Sequence, residues 1–107
     1  MKYYRSEVPA GVLNLVTAVI AERGRRSLDI RLGTREEAVL EEYRRVNAEI
    51  DRALENLEPA LRPCMIADIV RRRGYRYSDA RELLSKDAYY KRKNRLIADI
   101  ARRLLFF

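Results

Sequence analysis

The sequence predicts an all-α fold: an N-terminal helix and a long capped helix, then a three-helix C-terminal unit. Three observations lead there. Glycine and proline together number seven in 107 residues, so turns are few and elements are long. Apolar residues recur three and four apart through most of the chain, the spacing of one helix face. The only alternating run, Leu28, Ile30 and Leu32, has no partner strand in view and reads as an extended connector. With 48% hydrophobic and 36% charged residues, a chain of this length can pack one domain.

The first helix is expected from Pro9 to Arg23. Proline suits an opening position, Gly24 reads as a stop, and Val12, Leu15, Val16, Val19 and Ile20 form a broad apolar face. The apolar run from Val8 to Ala21 is too short to span a bilayer, and no small-residue cleavage site follows it. A buried helix in a cytoplasmic protein, with no membrane partner, is the expectation. The second helix opens on Thr34 and Glu37, whose spacing is that of a capping box, and is expected to run to about Leu57, before Pro59. Along it Val39, Tyr43, Val46, Ile50, Ala53 and Leu57 form a seam with an average period of 3.5. That seam serves either a homodimeric coiled coil through the 34–57 helix or packing inside the monomer; three heptads do not separate the two.

Residues 62–107 read as a medium, a short and a long helix. Pro63 opens the first and Gly74 is expected to end it; Ser78 caps the short segment SDARELL; Ser85 or Asp87 caps the last. On the last helix Tyr89, Leu96, Ile100 and Leu104 form an apolar stripe, flanked by Ile97, Ala101 and Leu105. A short helix joined to a long one by three or four residues is helix-turn-helix spacing. Residues 1–61 are then an N-terminal segment for oligomerisation or a protein partner, packed with 62–107 as one domain.

Charge follows the same division. Residues 1–33 carry six basic and three acidic side chains, residues 34–61 four and eight, residues 62–107 thirteen and five, so the net +7 of the chain is concentrated in its C-terminal part. Solubility alone does not require such segregation; a polyanion such as double-stranded DNA does. The candidate DNA contacts are Arg76, Ser85, Lys86, Asp87, Tyr90, Lys91, Arg92, Asn94 and Arg95, on the connector and the front of the last helix. Lysine and arginine fit phosphates, arginine a guanine edge, and Asn94 an adenine edge. Tyr89 reads as core. Tyr90 either donates to a phosphate or covers the domain edge.

Other chemistries find little support. The chain has no histidine and one cysteine, Cys64, which excludes an internal disulfide and Cys/His zinc sites. It has no glycine-rich phosphate loop and no nucleophile elbow. An enzyme, a cofactor and a metal are therefore not expected.

The segment LLSKDAYYKRKNRLIADIARRL, Leu83 to Leu104, resembles the C-terminal signature of the RinA/ArpU family of phage late-gene transcription regulators, which are similar to the promoter-binding C-terminal domain of sigma factors. Leu84, Ser85, Tyr89, Tyr90, Lys91, Arg92, Asn94, Leu96, Ile97, Ala101 and Leu104 carry the likeness, over residues 66–105. Asp87 and Ala88 stand where many such proteins have a basic residue and threonine, and the first third lies outside the resemblance. The resemblance implies a promoter-proximal DNA-binding regulator with RNA polymerase as a further partner. Two alternatives stay open: a DNA-packaging protein similar to a phage terminase small subunit, and a helical interaction module that does not bind DNA. In every case Leu96 is core, so Leu96→Asp is predicted to unfold the C-terminal half, read as loss of far-UV helical signal.

Overall fold

The computed structural model describes residues 8–104, and within them the fold is all-α. Five α-helices follow in order: α1 (Ala10–Ala21), α2 (Arg23–Leu32), α3 (Glu37–Leu54), α4 (Arg62–Val70) and α5 (Lys86–Arg103). Short 3₁₀ turns at Pro59–Leu61, Tyr75–Tyr77 and Asp79–Glu82 connect the last three. Leu105, and the apolar end that follows it, lie outside the described residues.

The largest departure from expectation is α2. The stretch expected as an extended connector is helical, and Gly24 lies inside it rather than stopping α1. Local alternation lost to tertiary contacts. Arg26 is buried; its Nε donates to Asn47 Oδ1 at 2.7 Å and its Nη2 to the Val19 carbonyl. Arg23 reaches Asp51 from the same side. Gly33 ends the helix at φ 64°, a left-handed conformation in which a β-carbon would be strained.

The expected capping box is absent. Thr34 Oγ1 donates to Asp29 Oδ1 at 3.0 Å, across the α2–α3 turn, and α3 begins at Glu37 without a side-chain cap. The seam on α3 turns inward: Ile50, Ala53 and Leu57 are buried and Tyr43 and Val46 half-buried, while Val39 stays exposed. α3 ends at Leu54, earlier than expected. Arg62 explains why a turn is stable there, since its Nε donates to the carbonyls of Leu54 and Leu57, at 2.8 and 2.9 Å.

α4 stops at Val70, four residues before Gly74. Its C-terminus is closed by Arg73 N–H donating to Asp68 O and Arg72 N–H to Ile69 O. This is the pattern of a Schellman motif with arginine, not glycine, in the left-handed position, at φ 53°. Gly74 serves packing instead: a β-carbon there would lie 2.7 Å from the Tyr90 hydroxyl oxygen. The expected short helix SDARELL is a single 3₁₀ turn, Asp79–Glu82, and the connector before it forms another, Tyr75–Tyr77. Ser78 accepts from Ala80 N–H, as its capping role requires.

One apolar interior joins both halves of the chain. Val16 and Ile20 of α1 and Ile50, Ala53 and Leu54 of α3 meet Met65 and Ile69 of α4 and Tyr89, Leu96, Ile97, Ile100 and Leu104 of α5. Each such aliphatic side chain contributes roughly 1.5–3 kcal/mol of burial. The shape is elongated, 45 × 27 × 21 Å, and α2 packs chiefly on α3.

The left-handed arginine is a removable cost. Arg72→Gly is expected to stabilise the fold by about 0.5–1 kcal/mol, partly offset by losing the exposed bond from Arg72 to Asn14. A urea melt with an unshifted or lower midpoint would contradict it.

Candidate nucleic-acid interface

Ser85 opens α5 in extended conformation, and its Oγ accepts from Ala88 N–H at 3.2 Å. Four residues on, Tyr89 sets the rotation of the helix. It is fully buried, and its hydroxyl donates to Asp68 Oδ2 at 2.8 Å. Its ring meets Tyr75 and Tyr90 edge-on, at 5.4 and 4.9 Å. Burial and the neighbouring carboxylate push the Tyr89 phenol far above its usual range, so it stays a donor. Asp68 also faces Arg73 at 3.3 Å.

With Tyr89 turned inward, the helix sorts its basic residues into three groups. Lys91 and Arg95, one turn apart, are exposed, and their side chains make no ion pair or hydrogen bond among the described residues. Exposed Arg102 continues their line. Arg92, half-buried, lies on the flank, where its Nε donates to the Glu58 carboxylate at 3.1 and 3.4 Å. Between this flank and the end of α3 runs a groove of about 590 Å³ that Lys91, Arg95 and Arg102 border. Lys93 points inward. Its ammonium donates to the Arg73 carbonyl at 2.6 Å and lies over the rings of Tyr89 and Tyr90. Burial lowers it below the ordinary lysine range.

The expected Asn94 contact is corrected here, and Tyr90 is half-buried against the core. Asn94, assigned to an adenine edge, is buried at 9% exposure beside Asp68, Ile69 and Ile97, in a cavity of about 320 Å³. The Tyr90 hydroxyl, assigned to a phosphate or the domain edge, accepts from Tyr75 N–H at 3.1 Å and is half-buried. Neither side chain is turned outward with the stripe. Ser85 is exposed but occupied in capping. Lys86 and Asp87 are exposed in the first turn, and Arg76 is exposed on the connector with its guanidinium 5.6 Å from the centre of the Tyr77 ring.

Helix α3 treats its arginines differently. On α3, Arg44 pairs with Glu37 and Glu41, Arg45 with Glu42 and Arg52 with Glu49. Lys91 and Arg95 have no such partner, and like charges one turn apart cost roughly 0.2–0.5 kcal/mol. Sequence reasoning missed Glu58 as the partner of Arg92, because a contact between residues 34 positions apart leaves no local spacing signal.

The Cys64 thiol is raised chiefly by burial, the reverse of activation. Among the described residues no group of His, Cys, Asp and Glu could hold a metal ion, and no helix is long and apolar enough to cross a membrane. Compared with family models, with proteins of curated function and with solved structures, the chain matches none.

Tyr89→Phe leaves the buried Asp68 oxygen without its phenol donor and is expected to cost about 1–3 kcal/mol in urea unfolding at neutral pH. The wild-type phenol stays protonated in the fold while the unfolded chain ionises above about pH 10. Its stabilisation is therefore lost as pH climbs beyond that point, and the phenylalanine variant should show a smaller alkaline decline. Equal stability of the two proteins at pH 7 would contradict the assignment.

Proposed function

We propose that the chain binds double-stranded DNA through the exposed basic line of α5 and acts as a transcription regulator of phage or prophage type. The observation that carries this reading is the exposed pair Lys91 and Arg95, one turn apart on α5 and without an ion pair among the described residues, where every arginine of α3 is matched to a carboxylate. Such a pair is unfavourable in the free protein and becomes favourable against phosphates, where counterions are released. Arg102 lengthens the line, and Lys86 and Arg76 lie at its front.

The reading differs in one respect from what the sequence alone suggested. With Asn94 and Tyr90 turned inward, base recognition falls to Lys91, Arg95 and Lys86, whose chemistry suits guanine edges. The likeness of residues 66–105 to RinA/ArpU regulators supports the same function, and adds RNA polymerase as a partner and the cytoplasm as location.

Duplex DNA titrated at several salt concentrations tests the proposal. Affinity is expected to fall steeply with salt, and Lys91→Ala with Arg95→Ala to weaken all duplexes and flatten the log–log slope by about two units. Arg44→Ala with Arg45→Ala should change little. A doubly substituted α5 that titrates like the wild type would sink the assignment.

A further inference from the structure

α2 has two faces, and only one is used inside the chain. Arg23, Arg26 and Ile30 face α3 or lie half-buried beside it. On the far side Leu28 and Leu32, four residues apart and so on one face, are 42% and 61% exposed. Val39, at the start of α3, is 37% exposed on the same hairpin. The outer face of α2 thus presents two leucines to water.

Its tip also carries two opposite charges without partners. Arg31 and Glu36 are exposed, and neither side chain makes an ion pair or hydrogen bond among the described residues. Their neighbours differ: Arg25 is paired with Glu22, Arg35 with Asp29 and Glu37 with Arg44. A surface with an apolar centre and one unpaired charge of each sign at its edge is complementary to itself under a two-fold axis.

We infer that the α2–α3 hairpin is a homodimerisation surface, with Leu28 and Leu32 of two copies interlocked and Arg31 of each copy paired with Glu36 of the other. This replaces the seam of α3 as the place of self-association, because Ile50, Ala53 and Leu57 are already buried within the chain. It does not rest on DNA binding: Lys91 and Arg95 belong to α5, and the hairpin to α2 and α3. A two-fold dimer presents two basic lines, which suits a pair of half-sites.

Sedimentation of the full chain over a range reaching about 200 µM, without DNA, tests the inference. The wild type is expected to double its mass with concentration. Leu28→Glu with Leu32→Glu should remain a monomer with an unchanged circular-dichroism melt. R31E alone and E36R alone place like charges against each other and should each weaken association at least tenfold. Mixing those two variants should restore a dimer, since every pair across the axis is then of opposite sign. The inference is overturned if the wild type stays monomeric throughout. It is equally overturned if the leucine variant still associates, or if the mixture associates no better than its components. The DNA titration of Lys91 and Arg95 reads a different surface, so either result can fail without the other.

Discussion

A buried carboxylate needs donors, and a buried phenol needs an acceptor. Tyr89 finds its acceptor in Asp68 Oδ2 across one contact, 2.8 Å long, between α4 and α5, while Asp68 Oδ1 faces Arg73 at 3.3 Å. Because successive residues of a helix advance by a fixed angle, fixing one side chain fixes the outlook of all the others. Tyr89 inward means Lys93 and Asn94 inward and Lys91 and Arg95 outward. The tyrosine rings then give the Lys93 ammonium a surface to lie on, and Gly74 leaves room for the Tyr90 hydroxyl. The external face of α5 is thus specified from the interior, by a polar pair inside an otherwise apolar core.

Local rules were legible in the sequence, and tertiary ones were not. Ser78 and Ser85 cap where their residue type and position suggested, and Pro63 lies in the first turn of α4. The stripe Tyr89, Leu96, Ile100 and Leu104 is buried throughout. The failures involve distant partners. Thr34 had the spacing of a cap, but Asp29 competes for its hydroxyl. Leu28, Ile30 and Leu32 alternate like a strand, yet the leucines are also four apart, and the bond from Arg26 to Asn47 favours the helix. Asn94 and Tyr90 looked polar enough for the surface. Side-chain polarity does not report direction when a backbone N–H such as that of Tyr75 waits inside. The candidate site was legible as a helix and a charge, but not residue by residue.

Two styles of handling charge coexist in the chain. On α3, carboxylates three residues from arginines neutralise them locally, at small net gain because all are wet. On α5, Glu58 from outside the helix holds Arg92 and Asp99 holds Arg103, while exposed Asp87 lies one turn before Lys91. Anions near a cationic line narrow it, so the exposed line is only one residue wide. A ligand that follows it must run nearly parallel to the helix axis or cross it at Lys91 and Arg95.

α1 and α3 fill the inner sides of α4 and α5, with Val16, Ile20 and Ile50 among the side chains sealed deepest. The basic helix is therefore not a cassette that can be lifted out. Residues 62–107 grafted elsewhere would expose Ile69, Ile97 and Ile100 to water, and the surface of α5 would lose the scaffold that orients it. The outer surface of α5 can change by substitution of outward side chains, whereas moving the helix as a unit would break the interior it shares with α1 and α3.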